Sequence, residues 1–168
     1  MESADAVKQH VYEQFIRFLH VYESFSDTEI DHFLSIAERE RIENFPHNIT
    51  AVHVIDCIGR HEPINSTAIA GKMELSKASI TKIGGKLLAD GLVERMQLND
   101  NKKESYFRLT PQGKKIFDLH ERIHANEAER LHRFLDKYSA VEMKIIGSFL
   151  KDYSAEMELR ISGGTAKR

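Results

Sequence analysis

Residues His120 to His124 read HERIH, a His-Glu-x-x-His run. Histidines four apart on a helix share a face and can ligate one zinc ion. A glutamate between them can activate a metal-bound water, which is the chemistry of many zinc peptidases. The same pair can also belong to a closed site in which the glutamate has no catalytic part. Placement decides between the two. Phe117, His120, Ile123 or His124, Ala128, Leu131 and Phe134 or Leu135 recur at helical steps. Both histidines therefore belong to an apolar stripe and are expected to face inward, while Glu121 points away beside Arg122. No third ligand follows at peptidase spacing and no substrate-cleft domain is evident, so peptidase chemistry is disfavoured.

The elements that position this helix emerge from the rest of the chain. Its 168 residues suit one domain, or one compact domain with helical extensions, and 41% hydrophobic with 30% charged residues is ordinary for a soluble globular protein. There is no apolar run of membrane-spanning length and no basic-then-apolar leader at the N-terminus, so a cytoplasmic location is expected. The single Cys57 excludes an internal disulfide. Set among Val54, Ile55 and Ile58, it reads as a buried, inert thiol rather than a redox sensor.

The net charge of -2 hides a division. Residues 65–115 hold ten Lys and Arg against five Asp and Glu, leaving fourteen against twenty-one elsewhere. A basic centre between acidic flanks points to a polyanionic partner for the centre alone.

The first forty-four residues read as helix, with Val11, Phe15, Phe18 and Tyr22 on one face. Ser26 or Asp27 is the expected cap of a second helix, and Pro46 the expected stop. Thr50 is expected to cap the next helix. A short helix over 64–73, a turn at Glu74-Leu75 and a Ser76-capped helix to Leu88 form a helix-turn-helix, with Asp90-Gly91 ending it. Two strand-like runs, VERMQL and SYFRLT, flank the polar tip NDNKKE and suit a hairpin. Pro111 opens a long helix to about Tyr138, Ser139 caps the last one, and the tail SGGTAKR is expected to be disordered. The fold class is mainly α: a winged helix-turn-helix held between long N- and C-terminal helical arms. The expected division is 1–48 and 116–168 for the arms and 49–115 for the winged helix-turn-helix.

The second helix of a helix-turn-helix enters the DNA major groove. With Ile80, Ile83 and Leu87 facing the core, the DNA-facing candidates are Ser76, Lys77, Ala78, Ser79, Thr81, Lys82 and Lys86. Lys102 and Lys103 join them at the wing tip. The Gly84-Gly85 pair inside this helix admits either close packing or a bend.

INSTAIAGKMELSKASITKIGGKLLADGLVER followed by FRLTPQGKKI resembles the MarR family of bacterial transcription regulators, over about residues 48–157. The resemblance implies a homodimer with interlocked terminal helices and a palindromic double-stranded DNA operator. The wing departs from the family's Asp-x-Arg: it reads Asp100-Asn101-Lys102, which implies weaker minor-groove contact. In the zinc-sensing branch of the family, to which AdcR and ZitR belong, a histidine stands where His53 stands here. A His-x-x-x-His pair follows the wing's Leu-Thr by ten residues, as His120 follows Thr110. The resemblance therefore implies one zinc site per chain from His53, His120 and His124, with Glu38 or Glu40 as the fourth ligand. The alternative is a regulator answering a small organic or phenolic ligand in the crevice between arms and winged domain.

Overall fold

The computed structural model describes residues 3–97 and 104–165. The chain forms two compact units, Met1–Arg122 and Ile123–Arg168. The first unit holds α1 (Ala4–Asp27), α2 (Glu29–Arg39), α3 (Ile49–His61), β1 (Ile64–Asn65), α4 (Ser66–Met73), α5 (Lys77–Ala89), β2 (Val93–Met96), β3 (Tyr106–Leu109) and the start of α6 (Pro111–Leu135). The second holds the rest of α6 and α7 (Ala140–Thr165).

Within the first unit, α3 is the central bar. Ala51, Val52, Val54, Ile55, Cys57 and Ile58 are all buried, against Ile69 of α4, Ile80 and Leu87 of α5, and Ile116 and Leu119 of α6, which are buried too. Asn48, not Thr50, caps α3, accepting from the Ala51 N–H at 3.2 Å. Either residue can cap; Asn48 carries the extended backbone that a cap requires. At the start of α2, Thr28 stands at the cap position without a side-chain cap bond, in place of Ser26 or Asp27. Its hydroxyl instead donates back to the Phe25 carbonyl of α1. The helix ends at Arg39, ahead of Pro46, where Arg41 and Asn44 take left-handed backbone angles.

The expected short helix over 64–73 divides into β1 and α4. Two residues are too few for alternation to reveal a strand, yet Ile64 pairs with Phe107 and Asn65 with Tyr106. The sheet is antiparallel in the order β1-β3-β2, with Val93 opposite Leu109 and Met96 opposite Tyr106. Gly84 lies under it: a Cβ there would stand 3.0 Å from the Phe107 ring, whereas one at Gly85 would meet nothing. The first glycine therefore serves close packing rather than a bend. The Leu-Thr-x-x-Gly run has a mechanical role. Thr110 donates its hydroxyl to the Gly91 carbonyl at 2.7 Å and accepts from the Gly113 N–H at 3.1 Å, tying the first turn of α6 to the end of α5.

In the second unit, Ser139 and Glu142 form a reciprocal cap for α7. The Ser139 hydroxyl accepts from the Glu142 N–H at 3.3 Å and the Glu142 carboxylate accepts from the Ser139 N–H at 2.8 Å. The hydroxyl and N–H bonds from Ser139 hold the Glu142 carboxyl below its ordinary value. The helix continues to Thr165, through Ser-Gly-Gly of the tail expected to be disordered. Extending an existing helix avoids the nucleation cost, so weak helix formers can ride on it.

Candidate nucleic-acid interface and metal centre

The helix-turn-helix is built from α4, a three-residue turn and α5. Glu74 takes the left-handed conformation at the end of α4 (φ 54, ψ 33). Leu75 closes the turn by donating its N–H to the Ala70 carbonyl. Ser76 then caps α5, accepting from the Ser79 N–H at 3.1 Å, and its hydroxyl meets that of Ser79 at 2.8 Å. Ile80 and Leu87 are buried and Ile83 half-buried. Ser76, Lys77, Ala78, Thr81, Lys82 and Lys86 are exposed, and Ser79 is half-buried. No acidic side chain stands among these seven residues. Lys102 and Lys103 lie outside the described residues.

The histidines come together. His53, His120 and His124 each offer a ligand atom within 4.8 Å of the others. His120 and His124 stand one turn apart on α6. His53 of α3 meets His120 edge-on, ring centroids 5.5 Å apart. Phe33 of α2 stacks on His120, nearly parallel at 5.6 Å. The close approach of α3 to α6 depends on Gly59, where a Cβ would stand 2.5 Å from the Phe117 ring.

Only His120 is buried, at 4% exposure. His124 does not face inward as the apolar stripe suggested, and His53 is exposed as well. The buried face of α6 is Ile116, Leu119, His120 and Ile123, which leaves His124 at its edge. The carboxylates expected as a fourth ligand are elsewhere. Glu40 accepts from Arg122 Nη2 through both oxygens at 2.6 Å. Glu38 lines a separate hollow with Leu34, Ala37, Ile42, Asn44, Phe45 and His47. The face that α2 turns to His120 is apolar, because Phe33 and Ala37 supply its buried residues.

Sequence reasoning missed Asp56 and Arg60. Asp56 Oδ1 stands 3.2 Å from His120 Nδ1, within ion-pair range. Arg60 Nε donates to Asp56 Oδ2 at 2.9 Å, and Arg60 Nη2 pairs with Glu121. The bond to Asp56, its charge and the pairing with Glu121 raise the guanidinium's already high pKa. A signal existed: His53, Asp56 and Arg60 follow one another at steps of three and four on α3. Three imidazoles with a carboxylate behind the buried one fit a zinc-class ion. Borderline-soft cations favour imidazole, and ligating histidines commonly place a carboxylate on their second nitrogen.

Cys57 is buried, and burial raises its thiol pKa, with Lys72 opposing and Asp56 adding to the effect. That environment disfavours the thiolate and suits an inert thiol.

Residues 48–105 match the sequence model of the MarR family. The HTH-type transcriptional regulator PchR of Bacillus subtilis (strain 168) is 43% identical to this chain over 162 residues, 96% of each protein. Among solved structures, the fold is shared with ZitR of Lactococcus lactis, described as a zinc-responsive MarR family member. It has TM-score 0.70 and 21% identity over 88% of this chain and 99% of that one. FabT of Streptococcus pneumoniae, solved in complex with DNA, gives TM-score 0.69 and 20% identity, over 88% and 97%.

Proposed function

The chain belongs to the MarR family of transcriptional regulators, and from that premise we propose that it is a homodimeric repressor whose hold on a palindromic operator is strengthened by a metal ion such as zinc. It is a regulator and not an enzyme. In the HERIH run, Glu121 is engaged by Arg60, so its pairing has a structural use.

The exposed lysines of α5 support DNA reading: Lys82 and Lys86 would neutralise backbone charge, and Thr81 would contact a phosphate by turning its hydroxyl away from the Lys77 carbonyl. The wing lysines Lys102 and Lys103 are proposed to add further backbone contacts. Exposed apolar residues on the terminal helices, such as Phe25 of α1 and Ile145 of α7, support a second copy as their cover.

The single observation that carries the metal reading is the convergence of His53, His120 and His124 within 4.8 Å. A bound zinc would supply a fixed cross-link between α3, which leads into the DNA-binding domain, and α6. Two recognition helices must stand roughly 34 to 36 Å apart to enter successive major grooves. A cross-link that favours that spacing raises operator affinity through its differential affinity for the two arrangements. Glu38 or Glu40 would have to leave its present place to become the fourth ligand, and water is the other candidate. The test is the metal content of protein purified without chelator: about one zinc per chain is expected, and none overturns the metal reading.

A second reading has an observation of its own. A cavity of about 450 Å³ lies beside α5, with Ala51, Leu75, Ile83 and Leu87 on its apolar side and Lys82 and Lys86 among its polar lining. That volume suits a small organic ligand. Binding of such a ligand by metal-free protein would favour this reading.

A further inference from the structure

We infer that Asp56 is the positioning residue of the histidine site, held in place by a clasp of Arg60 and Glu121. The inference rests on the metal reading above. An imidazole that gives one nitrogen to a metal carries its proton on the other, and its orientation depends on what receives that proton. Asp56 Oδ1 stands 3.2 Å from His120 Nδ1. Both side chains are largely removed from solvent, at 5% and 19% exposure. Nε2 is then the nitrogen that would take the metal, on the tautomer that Asp56 selects.

The carboxylate is itself fixed. Its second oxygen, Oδ2, accepts from Arg60 Nε at 2.9 Å, and a different nitrogen of the same guanidinium pairs with Glu121. Arg60 also stands over the Phe117 ring, 5.9 Å from its centroid. Planar guanidinium geometry lets one arginine hold two carboxylates in a fixed relation, which a lysine would do loosely. The clasp thus links α3 to α6 beside His120. Asp56, His120 and Glu121 also come within 4.8 Å as possible ligands. Arg60 occupies an oxygen of each carboxylate, however, which leaves Asp56 Oδ1 to face the imidazole rather than a cation. Glu121 therefore acts two steps from the metal, through Arg60 and Asp56.

The experiment compares full-length wild type with Asp56→Ala, Asp56→Asn and Glu121→Gln. Zinc affinity is measured by competition with a chromophoric chelator, and the visible absorption of the cobalt(II)-loaded proteins reports the ligand set. Asp56→Ala is expected to weaken zinc binding by about 10–100-fold. Asp56→Asn keeps an acceptor and is expected to lose less, and Glu121→Gln least. The cobalt(II) bands are expected to keep their position and intensity in all three. Unchanged zinc affinity in Asp56→Ala overturns the inference while leaving the metal site standing. Altered cobalt(II) bands in that variant overturn it by making Asp56 a ligand. Wild type that binds neither ion removes the metal reading and the inference with it. Thermal unfolding midpoints of the metal-free proteins separate misfolding from lost positioning, and Asp56→Asn serves as the measured variant if Asp56→Ala does not fold.

Discussion

Helices α3 and α7 are both rich in apolar residues, yet they are treated in opposite ways. Six residues of the thirteen in α3 are buried by the chain itself. In α7, twice as long, no described residue is buried, and Val141, Ile145, Leu159 and Ile161 are all more than 60% exposed. Exposed α1 residues such as Val11, Phe18 and Phe25 repeat the α7 pattern. The winged module is thus completed by its own chain, whereas the terminal helices carry apolar surface that a single chain leaves uncovered. The lesson is a separation of tasks: one region's stability is intramolecular, and the other's is expected to depend on association.

Four substitutions test that contrast, in descending order of expected effect. Ile58→Ala removes a side chain with no solvent exposure at the centre of α3. It is expected to cost about 2–5 kcal/mol of unfolding free energy in denaturant titrations; a loss below 1 kcal/mol would mean that the module core is looser than its burial implies. Ile145→Asp, on the exposed side of α7, is expected to raise the dimer dissociation constant at least about tenfold, a change of roughly 1.4 kcal/mol. Sedimentation velocity reads the change, and unaltered assembly would remove α7 from the interface. Ser76→Ala deletes the cap of α5 and is expected to cost about 1 kcal/mol in the same unfolding assay. Lys82→Ala is expected to leave stability unchanged and to weaken DNA binding on all sequences. The slope of log affinity against log salt should fall by about one. An unchanged slope would mean that Lys82 contacts no phosphate.

The contrast also explains what the sequence could reveal. The Ser76 cap and the Asp90-Gly91 stop are local devices whose bonds close within a few residues, so they were legible; the Leu-Thr-x-x-Gly run was legible as a motif, but the bond from Thr110 to Gly91, 19 residues back, was not. Strand β1 was not, because two residues carry no periodicity and only pairing with β3 defines it. The stripe on α6 showed that the helix has an apolar face. It could not show that burial by the chain stops at Ile123, because Leu131 and Phe134 belong to the same stripe but are exposed. His124 was misplaced for that reason. That the three histidines come together was recoverable from spacing and resemblance. Which side chains of α2 face them was not, since that depends on Phe33 stacking against His120, a tertiary contact. Asp56 escaped notice because a carboxylate inside a mostly apolar helix looks like an isolated polar position until its partners on α6 are in view.

The metal reading itself turns on whether the histidine group changes DNA binding. The most direct measurement is the affinity of the protein for its operator DNA, by fluorescence anisotropy, with zinc and with chelator. It is made on wild type, on His120→Ala and on the exposed His53→Ala, which spares the core. Tighter binding with zinc in wild type, and no response to zinc in either variant, is the expected result. Equal affinity under all conditions in all three proteins would contradict metal control while leaving the DNA-binding role of α5 intact.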